Sequence, residues 1–377
     1  MRIAVVSHIR HPIARPFMGG MEAHSWSLVQ GLRARGHDVT LLAAGDSDPA
    51  LPLCPIVPSH YDAAYPWHQF HGTEALNTHL DTAFARAVEI LRDGTFDVIH
   101  NNTLHRYLPR LGRAAGLPMV TSLHIPPFDA LRRGVEDGRC PWARVTVCSE
   151  AHGAQWWDPP FGPDIRVVPN GIDLDTWPFR AEGDGTAVWS GRITPTKGLH
   201  LAIAAARQAG LRLRIYGVIE HRDYFEAEVA PALSDQITYE GHLDSASLAR
   251  ALSRASVLAF TPCWEEPFGL VAIEAMACGV PVAALPRGGV AEVVGPGGVL
   301  TRDSDPAQLA RALRAAMKLD RRAVQQHAER RYGLDRMMSH YETLYGEVIA
   351  ARPSVVPEIR FHPIEFPTPV PKLKEAV

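Results

Sequence analysis

Residues 263–292 read CWEEPFGLVAIEAMACGVPVAALPRGGVAE, and the way this string punctuates itself decides the fold. The apolar run before it, Ala255 to Phe260, has the length and continuity of a buried strand. Pro262 and Pro267 mark a loop. From Phe268 to Ala277 the residues Leu270, Val271, Ile273 and Met276 recur at helical spacing. Gly279 stands where a helix C′ glycine belongs, and Pro281 blocks continuation. Val280 to Leu285 supplies a second strand, which runs into Gly288-Gly289. The unit is therefore strand, loop, helix, strand, with Glu266 in the loop and Glu274 inside the helix. The N–H groups of Phe268, Gly269 and Leu270 are expected to point out of the helix N-terminus, a ready anion site. Two carboxylates beside a phosphate repel it, so they suit hydroxyl groups on either side of it. A diphosphate on the helix end, with a ribose on one flank and a sugar on the other, satisfies both demands.

The full string Glu266-Pro-Phe-Gly-Leu-Val-Ala-Ile-Glu274, continued by Ala-Met-Ala-Cys-Gly-Val-Pro-Val, resembles the E-x7-E signature of retaining glycosyltransferases of family 4. The resemblance runs over about residues 1–350. It implies an α/β protein of the GT-B fold: two Rossmann-like domains facing each other across a cleft, with a C-terminal helix crossing back to the first. The expected division is an acceptor-binding domain over 1–171, a linker over 172–185 and a donor-binding domain over 186–333. A crossing helix over 334–350 and a tail over 352–377 that holds six prolines complete it.

Length and composition agree with this division. The chain has 377 residues, 46% hydrophobic and 21% charged, as expected of two globular domains. A net charge of −3 gives no basic field for nucleic acid. Five cysteines (Cys54, Cys140, Cys148, Cys263, Cys278) show no CxxC pair and read as reduced thiols of a cytoplasmic protein. The N-terminus turns polar too soon for a signal peptide, and no apolar run approaches the roughly 20 residues that span a bilayer. Contact with the inner face of the membrane remains open: Arg106, Arg110 and Arg113 fall on one face of a helix expected over Leu104–Ala115, although a solvated face is the simpler reading.

Along the chain, Ile3–Ser7 is an apolar strand of a parallel sheet. Gly19-Gly20-Met-Glu22 then opens a helix over His24–Arg35. The glycines allow close backbone approach to a ligand. In the family this loop brings Gly19 and Gly20 to the diphosphate and Glu22 to the acceptor. Leu51–Gly72 reads as irregular chain with Tyr61, Tyr65, Trp67, Phe70, His60, His68 and His71, suited either to sugar stacking or to covering a sheet edge. Met119–Leu123 delivers His124 at a strand's carboxyl end, where ligands of open α/β sheets bind. The resemblance places His124 near the transferred sugar. Val168–Asp173 resembles the family's interdomain crossing. In the second half, the loop from Gly191 to Gly198 holds Arg192 and Lys197, two cations suited to a diphosphate. Gly241, His242 and Leu243 occupy the position that flanks the base in the family.

The expected donor-binding set is thus Gly19, Gly20, Arg192, Lys197, Gly241, His242, Leu243, Glu266, Pro267, Phe268, Gly269, Leu270 and Glu274. His124, Glu266, Arg192 and Lys197 are the expected catalytic residues, and Glu22 the acceptor contact. Three Asp-x-Asp spacings (Asp46/Asp48, Asp173/Asp175, Asp303/Asp305) are read as caps and turns, so neither a metal nor a cofactor is expected. The implied reaction is transfer of a hexose or N-acetylhexosamine from a nucleoside-diphosphate sugar, with uridine expected as the commoner base, to a hydroxyl acceptor. Two alternatives stay open: a nucleotide-sugar epimerase of the same architecture, and a non-catalytic sugar-nucleotide binder.

Overall fold

The computed structural model describes residues 1–354. The proline-rich tail expected over 352–377 therefore lies, from residue 355 onward, outside the described residues.

Two parallel sheets carry the fold. The first has β1 (Arg2–Ser7), β2 (Asp38–Ala44), β3 (Leu53–Val57), β4 (Val98–Asn102), β5 (Met119–Ser122), β6 (Ala143–Val147) and β7 (Ile165–Val167). Their order is β3-β2-β1-β4-β5-β6-β7. The second has β8 (Ala187–Ser190), β9 (Leu213–Tyr216), β10 (Ile237–Tyr239), β11 (Val257–Phe260), β12 (Val282–Ala284) and β13 (Gly298–Leu300). Their order is β10-β9-β8-β11-β12-β13. Both orders double back from a central first strand, as Rossmann-like sheets do.

Alternation along β1 shows why its run is apolar throughout. Ala4 and Val6 face one core with Leu42 and Ile99, while Ile3 and Val5 face the other with Val29, Leu41 and Tyr341. Helices cover both faces, so no residue of the strand interior needs to be polar.

The helix of the opening string spans Leu270–Ala277, two residues shorter at its start than the periodicity predicts. Gly269 ends the loop at φ +90, in the left-handed region, and a Cβ there would lie 2.5 Å from the Phe260 ring. Phe268 is buried against Tyr332, with ring centroids 5.6 Å apart, so it anchors the loop from below. At the other end Gly279 N–H bonds to Met276 and Val280 N–H to Ala275, both through carbonyls, which is a Schellman closure.

Leu53–Val57, expected to be irregular, is the edge strand β3; Pro55 is tolerated because an edge strand needs only one ladder. The helices Asp129–Gly138 and Glu150–Trp156 were not visible as periodic segments. The first is short and charged, and the second is set by its Ser149 cap, whose side chain accepts from His152 N–H.

The two chain crossings meet at one point. Ile172 N–H donates to the Tyr332 carbonyl at 2.9 Å, and Leu334 N–H to the Ile172 carbonyl at 2.8 Å. The Leu334–Ala350 helix then packs on the Gly20–Ala34 helix and β5. Gly171 has no room for a side chain: a Cβ would lie 2.8 Å from the Gly333 carbonyl and 3.0 Å from Leu334 Cα. Gly171→Ala is expected to lower unfolding stability by about 1–3 kcal/mol, because backbone rather than a mobile side chain must give way. An unchanged urea midpoint would show that the crossing is slack.

Candidate active site

The carboxyl ends of both sheets open onto one cleft of ≈ 1410 Å³. From the first sheet come Gly19, Gly20, Glu22 and His124; from the second come Arg192, Lys197, His242, Leu243, Glu266, Pro267, Phe268, Gly269, Leu270 and Glu274. Gly241 is not in the wall. Its φ of +86 and its carbonyl, which accepts from Gly217 N–H at 2.9 Å, make it the turn that presents His242. His242 meets the backbone of Phe17 in the opposite loop.

The glycine loop touches the facing domain directly. A Cβ on Gly20 would stand 3.0 Å from Leu270 Cδ1, and one on Gly19 would stand 3.7 Å from Arg192 Nε. Backbone on one side therefore lies against a guanidinium and a helix N-terminus on the other.

Each cation of the expected clamp has a protein carboxylate. Lys197 Nζ lies 2.5 Å from Glu266 Oε2, and Trp264 Nε1–H donates to the same oxygen at 2.8 Å. The Lys197 ammonium also sits 4.9 Å from the Trp264 ring centre. Arg192 Nη1–H donates to Glu220 Oε2 at 2.7 Å, and Arg10 Nη2–H to Glu220 Oε1 at 2.8 Å. Burial pushes the Glu220 carboxyl up, but Arg192 and Arg10 outweigh it and leave it below its ordinary value. Glu220 thus joins the domains across the cleft, and Arg10 holds Asp62 at 2.9 Å as well.

The remaining carboxylates behave differently. Burial raises the Glu22 carboxyl, but His8, 3.1 Å away, and His11 outweigh it and bring it to about 2. Glu274 is half-buried and has no charged or hydrogen-bonding side-chain partner among the described residues; desolvation alone pushes it to about 7. His124 is held well below its ordinary value, first by burial and then by the neighbouring His24, His152 and His8.

Comparison with known proteins identifies the family. The model of Glycosyltransferase Family 4 matches residues 18–176, and that of Glycosyl transferases group 1 matches residues 177–331. Glycogen synthase of Mycobacterium tuberculosis is 30% identical over 379 residues, covering 87% of this chain and 88% of its own. The chain belongs to glycosyltransferase family 4. A phosphatidyl-myo-inositol mannosyltransferase of Mycobacterium leprae is 29% identical over 352 residues, 85% of this chain and 88% of its own. Among solved structures, sucrose-phosphate synthase of Thermosynechococcus elongatus superposes with a TM-score of 0.75 at 21% identity, over 93% of this chain and 99% of its own. Anabaena HepE, solved with UDP and glucose, gives 0.71 at 19% over 92% and 100%. These likenesses confirm the GT-B fold.

Each arginine of the stripe is engaged by a neighbouring helix. Arg106 pairs with Asp81 at 2.7 Å, Arg110 with Asp137 at 2.6 Å, and Arg113 Nη1–H donates to the Asp137 carbonyl at 3.2 Å. No helix among the described residues is long and apolar enough to cross a membrane. The Asp-x-Asp pairs are engaged locally: Asp46 holds His60, Asp48 accepts from Ala50 N–H, Asp173 caps Asp175, and Asp305 caps Ala307. Of the aromatic loop, Tyr61, Trp67 and His71 reach the cleft, while Tyr65 and Phe70 pack on each other at 5.4 Å. Sequence reasoning missed Arg10, Glu220 and Trp264. Only Trp264 carried a signal, its place beside Glu266.

The Glu274 carboxyl gives a pH test. Its folded value, about 7, lies above the ordinary 4.5, so the folded state holds the proton more tightly. That contribution to stability is fully present below about pH 4.5 and is lost as pH rises through about 7. Glu274→Gln, neutral at every pH, is expected to show a flatter fall of melting temperature over this window. Parallel curves for the two proteins would mean that Glu274 ionises freely.

Proposed function

We propose that this enzyme transfers a hexose or N-acetylhexosamine from a nucleoside-diphosphate sugar, with uridine as the base, to an acceptor hydroxyl with retention of configuration. One observation carries the reading: the Gly19-Gly20 backbone of one domain lies against Arg192 and the Leu270–Ala277 helix N-terminus of the other. That junction is lined by N–H groups and a guanidinium, which suits a diphosphate. HepE, bound to UDP and glucose in its crystal, supports the choice of uridine, and the curated glycogen synthase and mannosyltransferase relatives support a hexose.

In this mechanism Arg192 and Lys197 stabilise the charge that grows on the leaving diphosphate. Arg192 has donors beyond the one used by Glu220, so it binds oxygen while still braced. Glu274 accepts from the ribose hydroxyls. Glu266, oriented by Trp264, accepts from a hydroxyl of the sugar and favours the oxocarbenium-like state. Glu22 and the aromatic rim of Trp67 face the acceptor. The leaving phosphate takes the acceptor's proton, and the enzyme works without metal and acts in the cytoplasm. A thermal-shift screen of nucleoside diphosphates, followed by turnover of the matching sugar nucleotides, tests the whole reading. Stabilisation by none of them would overturn it.

The two carboxylates are separable. Glu274→Ala is expected to weaken both the bare nucleoside diphosphate and the donor. Glu266→Gln is expected to keep diphosphate affinity, since it also releases Lys197, while losing about 1.5–3 kcal/mol of transition-state stabilisation in kcat. Calorimetry beside steady-state kinetics decides; equal loss of diphosphate affinity in both variants refutes the division of roles.

Activity is further expected to survive excess chelator. Loss that manganese or magnesium restores would place a metal in the reaction.

A further inference from the structure

Beneath the cleft floor lies a buried polar chain with no charged member. Tyr345, on the crossing helix, brings its hydroxyl 2.6 Å from His100 Nδ1. His100 Nε2 lies 3.0 Å from Asn102 Oδ1, and His124 Nε2 lies 3.2 Å from that same oxygen. The Asn102 amide donates to Ser25 Oγ at 3.3 Å and meets His24 Nδ1 at 3.4 Å. Asn102, His100 and Tyr345 are at most 1% exposed.

The protons in this chain can be assigned in order. The Tyr345 hydroxyl is fully buried and has no acceptor other than His100 Nδ1 among the described residues. A buried O–H left unbonded is costly, so Tyr345 donates and His100 Nδ1 carries the lone pair. His100 then holds its proton on Nε2, which lies 3.0 Å from both Asn102 Oδ1 and Ser122 Oγ; an amide N–H turned to it would oppose that proton, so the Asn102 oxygen faces His100. An amide oxygen only accepts, so His124 must bring a proton on Nε2 too. Burial holds His24 and His100 at about 3 and His124 well below its ordinary value, so all three rings are neutral.

We propose that Asn102, fixed by His100 and Tyr345, is a positioning residue that locks His124 as the Nε2–H tautomer and turns the lone pair of its Nδ1 to the cleft. His124 lines the cleft, and its Nδ1 has no protein partner among the described residues. A neutral lone pair accepts a hydrogen bond from a hydroxyl and repels a phosphate oxygen. His124 therefore faces a hydroxyl of the transferred sugar rather than the diphosphate, and it neither donates a proton nor offers positive charge. The substrate half of this inference rests on the proposed function; the tautomer half does not.

The test uses full-length protein labelled with 15N-histidine, with the His124 signals identified from their absence in His124→Gln. Wild-type His124 is expected to show a protonated Nε2 and a bare Nδ1 at pH 7. Asn102→Ala is expected to mix the tautomers and to lower kcat roughly tenfold, the worth of about one hydrogen bond, with donor KM little changed. Tyr345→Phe, which removes one oxygen only, is expected to shift the His124 signals in the same direction and serves if Asn102→Ala does not fold. A wild-type spectrum with the proton on Nδ1, or a His124 tautomer unmoved in the variants, overturns the inference even where hexose transfer is intact. Wild-type protein that turns over no sugar nucleotide overturns the proposed function, and the spectrum still decides the tautomer.

Discussion

A carboxylate buried between two loops must be paired, and the contact of Glu266 with Lys197 organises the cleft side of the second domain. Glu266 is only 7% exposed, so an unpaired charge there would be strongly destabilising. Its partner arrives from the loop after β8, where Gly198 at φ +65 presses on the Thr261 carbonyl. Gly288 packs against the Glu266 backbone, and Gly289 N–H donates to the Glu266 carbonyl at 2.8 Å. The first domain contributes as well: Ser149 Oγ–H donates to the Pro267 carbonyl at 2.7 Å. The ion pair, the glycines and Ser149 thus form one connected unit around Glu266.

The contacts that join the domains across the cleft are mostly polar. Glu220 bridges Arg10 and Arg192, His242 meets the Phe17 backbone, and Glu292 accepts from Glu150 N–H at 2.9 Å. Polar contacts of this kind exchange with water at small net cost, unlike a shared apolar core. The apolar bonding between the halves is concentrated instead at the crossing, where Met337, Met338 and Tyr341 enter the core of the first sheet.

Much of this was legible because it is local. Strand, capped helix and C′ glycine around Gly279 follow from residues within ten positions of one another, and so does the Glu266/Glu274 pair. The errors at helix starts have the same origin in reverse. Phe268 continues the apolar period, yet its ring is needed below the loop against Tyr332, 64 positions away by number, and the helix begins only after it. Arg10 and Glu220 are 210 residues apart, and neither stands in a motif. The arginine stripe shows a related limit: periodicity places its three members on one face, but only the fold shows that Asp81 and Asp137 on neighbouring helices pair with them. Asn102 was invisible because an asparagine at a strand end usually caps or turns; only the two histidines at its oxygen give it a role.

The two glutamates of the motif show how one string encodes two kinds of carboxylate. Glu266 sits in a loop, where backbone freedom lets Lys197 and Trp264 reach it. Glu274 sits on a helix, eight residues on, where its direction is fixed and neighbouring side chains are apolar: Ile273, Ala275 and Met276 are fully buried. No cation reaches it, and its carboxyl rises to about 7. A hydroxyl pair approaching Glu274 would supply the hydrogen bonds that the protein withholds, and would favour the charged form by supplying them. Glu266 already has its bonds and gains little from a ground-state hydroxyl. In the proposed reaction its advantage would grow only as positive charge develops on a sugar beside it. Environment, rather than residue type, thus separates a carboxylate suited to binding from one suited to the transition state.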